Sequence, residues 1–226
     1  MAGVVSFAGR VARPLRQPLP QRVGGFGGAD GLADYLRAEK ITHVIDATHP
    51  FASQMSHNAV RACVKAGVPL LALTRPAWTP KDGDRWQNVP DIAGAVTALD
   101  RLPARVMLAV GRMHLADFAP NPQHFYLLRL VDPPVGALPF PTAEVIVDRG
   151  AFDAASDQQL MEDHRIDLVV SKNAGGTGAY AKIEAARALG LPVIMIDRPA
   201  QPKRAEATEI AAVFDWIAHA GTDLGV

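Results

Sequence analysis

The chain has 226 residues, 49% of them hydrophobic, and 23 basic side chains balance 23 acidic ones. That length supplies one large domain or two small ones with ample core, and zero net charge excludes general nucleic-acid binding, which needs a strong basic surplus. A single cysteine, Cys63, excludes an internal disulfide framework and fits a reducing compartment.

In chain order, apolar runs predict strands over Val4 to Phe7, His43 to Ala47, Pro69 to Leu73, Arg105 to Val110, Phe125 to Leu130, Glu144 to Val147, Ile166 to Val170 and Pro192 to Ile196. Helical spacing predicts helices over Asp30 to Glu39, Phe51 to Ala66, Ile92 to Leu99, Phe152 to His164, Ala179 to Leu189 and Glu206 to Ala218. Runs such as Val193-Ile194-Met195-Ile196 are apolar on both faces, as buried parallel strands require. The βαβα rhythm predicts an α/β protein with mainly parallel sheets and helices on their faces. The polar stretch Trp78 to Pro90 and a new strand series after Pro103 place a domain boundary near residue 100. Asp132 to Pro141 reads as a surface excursion. No apolar run reaches the roughly 18 residues that span a bilayer, and the N-terminus does not read as a signal peptide. The expected location is the cytoplasm.

Ligands of open α/β sheets sit beyond the carboxyl ends of the strands. Seven predicted strands empty into Ser6-Phe7-Ala8-Gly9-Arg10, Asp46-Ala47-Thr48-His49-Pro50-Phe51, Arg75-Pro76, Gly111-Arg112, Asp148-Arg149-Gly150, Ser171-Lys172-Asn173 and Asp197-Arg198-Pro199. Six of these seven exits carry Arg or Lys. If the exits converge, a neutral protein gains a cationic cleft; if they do not, these are solvated loop side chains. The stretch Ser171 to Gly178 is the strongest signal. A strand emptying through a glycine-rich turn into a helix exposes backbone N–H groups at a positive dipole end, and Lys172 and Lys182 add charge. It matches neither a Walker A loop nor G-x-G-x-x-G.

Ser6 and Arg10, with no acid nearby, suit the 2′-phosphate of NADP rather than the 2′-hydroxyl of NAD. Gly24-Gly25-Phe26-Gly27-Gly28 lets a ligand approach the backbone or makes a plain turn, with Asp30 the expected N-cap of the next helix. Thr48 is the expected N-cap of the helix that Pro50 opens. That aims Thr48 and His49 at the cleft, where His49 can donate a proton or hold a carboxylate, or merely bond backbone. The histidines lack metal-ligand spacing, so no metal is expected.

In these residues the chain resembles the precorrin-6A reductases of cobalamin biosynthesis. The elements that carry the resemblance are Asp46 to Ala52, Asn58-Ala59, Arg75 to Trp78, Gly111-Arg112 and Ser171 to Gly176 with Ala181-Lys182. Ser6 to Arg10 and Gly24 to Gly28 match as well, so the likeness covers essentially the whole chain in order. It implies two Rossmann-like domains with a cleft between them: residues 1–100 binding NADPH and residues 101–226 binding substrate. The implied reaction reduces one double bond of a polycarboxylate corrin precursor, precorrin-6A to precorrin-6B. Implied cofactor contacts are Ser6, Gly9, Arg10, Gly25, Gly27, Asp46 and Thr48. Implied substrate contacts are His49, Arg75, Arg112, Ser171, Lys172, Asn173, Gly175, Gly176, Lys182 and Arg198. His49, Tyr180 or bound water supplies the proton. The family, in this reading, opens with a strand, a Gly-Gly-Thr-type loop and a helix that the chain lacks ahead of Ser6. The first domain is therefore expected to be N-terminally incomplete, through a misassigned start or, less favoured, with weakened NADPH affinity. Competing readings are the cobalt-containing version of the same step and a non-catalytic tetrapyrrole-binding protein. A short-chain-type reductase is disfavoured, because Glu184 stands where the lysine of Tyr-x-x-x-Lys belongs after Tyr180. A monomer is favoured over higher oligomers, with no nucleic-acid or membrane partner.

Overall fold

A computed structural model describes residues 2–9, 16–134, 136–148, 150 and 152–219. Arg10 and Arg149 lie outside the described residues. In chain order the elements are β1 (Val5–Phe7), β2 (Gln21–Val23), α1 (Gly28–Ala38), β3 (Val44–Asp46), α2 (Ser53–Ala66), β4 (Leu70–Leu73), β5 (Arg85–Val89) and α3 (Ile92–Ala98). They continue with β6 (Arg105–Ala109), β7 (Phe125–Leu130), β8 (Ala143–Val147), α4 (Ala154–Asp163), β9 (Leu168–Lys172), α5 (Ala181–Ala188), β10 (Pro192–Ile196), β11 (Ala205–Ala207) and α6 (Ile210–His219). Every strand pair among the described residues is parallel. This is the α/β class that the apolar runs predict.

Two compact units divide the chain: Met1–Arg75 with Ala200–Val226, and Pro76–Pro199. The division therefore falls at residues 75 and 199 rather than near residue 100. The reason lies in two strands that the sequence pattern does not reveal. β5 pairs with β10 and draws residues 85–89 into the second unit, while β11 pairs with β4 and returns the C-terminal segment to the first. β5 is a sheet edge with three of its five side chains exposed, so it reads as polar. β2 and β11 span three residues each, too short to show a period. The predicted helix from Glu206 begins instead at Ile210, after β11.

The second unit is a six-stranded sheet in the order β5-β10-β9-β6-β7-β8. Its central strands are apolar on both faces because both faces are covered: Val106, Met107 and Leu108 are at most 1% exposed. Met107, Leu127, Val169 and Met195 pack on Met161 of α4 and Ile183 of α5. Each such side chain contributes about 1.5–3 kcal/mol by burial. The proline-rich excursion after β7 is anchored by Phe140, which is buried against Tyr126 with ring centroids 4.2 Å apart.

The first unit carries a two-stranded sheet, β1-β2, and a three-stranded sheet, β11-β4-β3. Helices α1 and α2 bury Leu32, Ala33 and Leu36 against Ala59, Ala62 and Cys63. Cys63 is thus a packing residue, and burial pushes its thiol up to about 11. Asp30 sits in the first turn of α1, whose N-cap is Gly27, and it pairs with Lys65 of α2. A side chain at Gly31 would overlap the Phe26 carbonyl, whereas Gly25 has open space around it. Gly31→Ala should therefore lower the melting temperature by several degrees, consistent with an overpacking cost of about 1–3 kcal/mol. Gly25→Ala should leave it unchanged; equal melting of the two variants would contradict the close approach at Phe26.

Candidate functional site

In the six-stranded sheet the chain leaves β6 toward β7 and β8, but leaves β9 the opposite way, toward β10. Connections that diverge between two neighbouring parallel strands open a crevice beyond their carboxyl ends. Two loops border it. After β6, Gly111 adopts a φ of 81° and leads into short 3-10 turns, Arg112–His114 and Ala116–Phe118, with Arg112 exposed. After β9 comes the glycine-rich loop that leads to α5.

That second loop is held by its carbonyl groups. Arg198 donates from Nε to the Asn173 carbonyl at 2.9 Å and from Nη2 to the Ala174 carbonyl at 3.1 Å. The indole N–H of Trp78 donates to the Gly176 carbonyl at 2.6 Å. Asn173 is buried, and its side-chain amide pairs with the backbone of Trp78 in both directions, at 2.8 and 2.9 Å. Gly175 and Gly176 have φ of 68° and 67°, where a Cβ is strained. At Gly175 a Cβ would also overlap the Arg198 guanidinium and the Pro76 carbonyl. With the carbonyls drawn inward, the backbone amides from Gly175 to Ala179 have no acceptor among the described residues. Lys172, at the last position of β9, is half-buried. Burial pushes its amine down to about 8, opposed by the nearby Asp117 carboxylate. Asp117 also bonds His114 at 3.0 Å.

The first unit has two strand-exit regions. Ser6 is exposed in the middle of β1, opposite Arg22 of β2, and the Gly24 amide donates to the carbonyl of Phe7, the last residue of β1, at 2.8 Å. Apart from their chain neighbours and the backbone of α1, no heavy atom of the described residues lies within 4 Å of where a Cβ would stand at Gly24, Gly25, Gly27 or Gly28, so this loop leaves its backbone approachable. At the end of β3, the buried Asp46 carboxylate accepts the Thr48 amide and hydroxyl at 3.1 and 2.7 Å. It also accepts the Ser56 hydroxyl at 2.7 Å and Arg204 at 2.6 Å. His49 is exposed, and its Nδ1 accepts the Phe51 amide at 3.2 Å, which puts the neutral ring's proton on Nε2.

The structure sorts the expected residues into two groups. Lys172, Gly176, Arg112, Arg75, His49, Ser6, Gly9, Gly25 and Gly27 stand at strand exits with at least partial exposure. Ser171, Asn173, Gly175, Lys182 and Asp46 are buried supports. Ser171 is fully buried, and its hydroxyl donates to the Lys172 carbonyl. Lys182 turns inward, donating to the Ala179 carbonyl at 2.6 Å and lying 5.1 Å from the Trp78 ring centroid. Burial, with Arg129 adding repulsion, pushes its amine down to about 8. Arg198 spends two N–H groups on the loop carbonyls, and Thr48 is tied to Asp46 rather than capping α2, whose N-cap is Ala52. Tyr180 points along α5 to Arg187, which bonds its hydroxyl at 2.7 Å and pairs with Asp84 ahead of β5. Its hydroxyl thus accepts from Arg187, and its ring packs on Trp78 with centroids 5.4 Å apart. Residue type alone cannot separate the inward from the outward half of a tight turn. Three further residues hold these loops: Arg22, two residues before the glycine run it clamps; Trp78, just after the Arg75-Pro76 exit; and Arg204, which no local pattern marks.

A family model described as "Precorrin-6x reductase CbiJ/CobK" matches residues 1–218. A precorrin-6A reductase of Rhodobacter capsulatus is 57% identical over 224 residues, spanning 99% of this chain and 89% of that relative. A solved structure titled CobK precorrin-6A reductase matches with a TM-score of 0.93 and 57% identity, covering 96% of this chain and 87% of that one. A cobalt-precorrin-6A reductase of Salmonella typhimurium is 31% identical over 173 residues, 73% of this chain and 66% of the relative.

The Asp46–Arg204 pair is deeply buried, so losing one partner strands a charge. Arg204→Met should cost about 3–5 kcal/mol in chemical denaturation. A loss below about 1 kcal/mol, the range of a surface pair, would contradict that burial.

Proposed function

The chain belongs to the precorrin-6x reductase family, and on that premise we propose that it acts as a precorrin-6A reductase of cobalamin biosynthesis using NADPH. The observation that carries this reading is the half-buried Lys172 beside a loop whose amides from Gly175 to Ala179 lack acceptors. With exposed Arg112 across the same crevice, this side of the second unit is built for a polyanion, and the substrate is a macrocycle fringed with carboxylates. Each charge-assisted bond there contributes about 1.5–3 kcal/mol.

The glycine loop before α1 fits a dinucleotide: its open backbone admits close approach, and Ser6 and Gly9 border it. A bound reduced nicotinamide supplies the hydride. The protein's own part is to orient and to neutralise charge. Asp46 and Thr48 shape the β3 exit rather than offering a free carboxylate. His49, with its proton on Nε2, donates a hydrogen bond to a ligand oxygen, and the proton for the neighbouring carbon comes through it or through water.

The metal-free substrate is favoured over the cobalt form, because the 57% relative carries the metal-free name and the cobalt-named one is 31% identical. No helix among the described residues is long and apolar enough to cross a membrane; we place the protein in the cytoplasm, as a monomer. Anaerobic assays with both substrate forms test the reading. NADPH oxidation driven preferentially by metal-free precorrin-6A is expected. Macrocycle binding without oxidation would favour a carrier instead.

Lys172 gives a pH dependence of defined sign. Its amine is charged below about 8 and loses that charge as pH rises through about 8. Macrocycle affinity should therefore fall between pH 7 and 9, and Lys172→Gln should bind more weakly at pH 7 with a flatter profile. An unchanged slope in the variant would remove Lys172 from the site.

A further inference from the structure

Arg22 lies in the middle of β2, half-buried and directly opposite Ser6 of β1 in the parallel register. An arginine guanidinium carries five N–H donors in a fixed plane. Here Nη1 donates to the Gly24 carbonyl at 2.6 Å and reaches the Ser6 hydroxyl at 3.4 Å, while Nη2 donates to the Gly25 carbonyl at 2.7 Å. Nε has no acceptor among the described residues, and it shares one edge of the fork with Nη2, whose acceptor is the Gly25 carbonyl. Behind the cation stand Phe26 and Tyr35, with centroids 3.8 and 5.4 Å from its central carbon. The two rings are themselves only 5.1 Å apart, too close for the cation to lie between them, and Phe26 is the nearer. Arg22 is thus held at its tip by backbone and over the Phe26 ring, and keeps the edge that carries its uncommitted Nε at the carboxyl ends of β1 and β2.

Such an edge matches two oxygens of a phosphate monoester in geometry and charge. In dinucleotide-binding sheets this position decides the nucleotide: an acid holds a ribose 2′-hydroxyl, an arginine a 2′-phosphate. Residues 6–9, Ser-Phe-Ala-Gly, contain no acid. We infer that Arg22 selects the 2′-phosphorylated nucleotide, its open fork edge receiving the phosphate monoester. This rests on the NADPH reading above and goes beyond it by assigning the discriminating residue.

The test is nucleotide binding to the full chain, read from nicotinamide fluorescence for NADPH and NADH and by competition with adenosine 2′,5′-bisphosphate and AMP. Arg22→Gln should weaken NADPH and the bisphosphate about 10- to 100-fold, the range of one lost charge-assisted contact. NADH and AMP, which lack the 2′-phosphate, should weaken far less, so that the preference for NADPH over NADH collapses. Arg22→Lys should keep charge but lose the fork, and fall between. A variant that loses NADPH and NADH equally would make Arg22 a loop clamp only, and one that keeps its preference would clear it of the role; either overturns the inference while leaving NADPH use standing. Wild-type protein that binds both nucleotides equally would overturn the NADPH reading and the inference together.

Discussion

Parallel pairing is the constraint on which the rest depends. Every ladder among the described residues runs the same way as its neighbour, so each sheet gathers all its carboxyl ends at one edge. Parallel strands need covered faces and crossover connections, which leaves the loops at that edge free to carry chemistry. In the second unit the divergence between β6 and β9 then opens a crevice without any side chain having to create it. Lys172 and Arg112 are cationic there because of where their strands end.

Pinning of carbonyls gives these loops their polarity. A glycine-rich turn has as many acceptors as donors, and on its own favours neither anion nor cation. Arg198 and the Trp78 indole remove three carbonyls from contention after β9, while Arg22 removes two before α1. The balance in each loop then tips toward donors. The same device therefore recurs in both units with different arginines, and in each case the arginine lies outside the glycine motif it polarises. Buried pairs such as Arg129–Asp157 and Asp46–Arg204 fix the surrounding backbone at the cost of desolvation.

Much of this was legible in the residues. Long apolar strands such as Leu168–Lys172 and Pro192–Ile196 declare themselves because both faces are buried, and the glycine run after β9 marks its own turn. Edge strands do not, since Arg85–Val89 shows water most of its side chains. That one omission moved the expected boundary by some two dozen residues, from Arg75 to about residue 100. Site residues failed in a similar way. Ser171, Asn173 and Lys182 belong to the right motif but face inward, and only the packing of Trp78 against the loop reveals it. Arg204 acts across a chain separation that no local motif encodes, whereas Arg22 turns back on carbonyls only two and three residues ahead of it.

For this member of the precorrin-6x reductase family, we propose that the loops described above hold a carboxylate-fringed macrocycle for hydride delivery. The most direct test is label transfer: precorrin-6A incubated with the chain and NADPH deuterated at the transferable nicotinamide position, with the product weighed by mass spectrometry. A reduced macrocycle that carries one deuterium from the nucleotide and one hydrogen from water is the expected result. A macrocycle recovered bound but unreduced, with the labelled nucleotide intact, would contradict it.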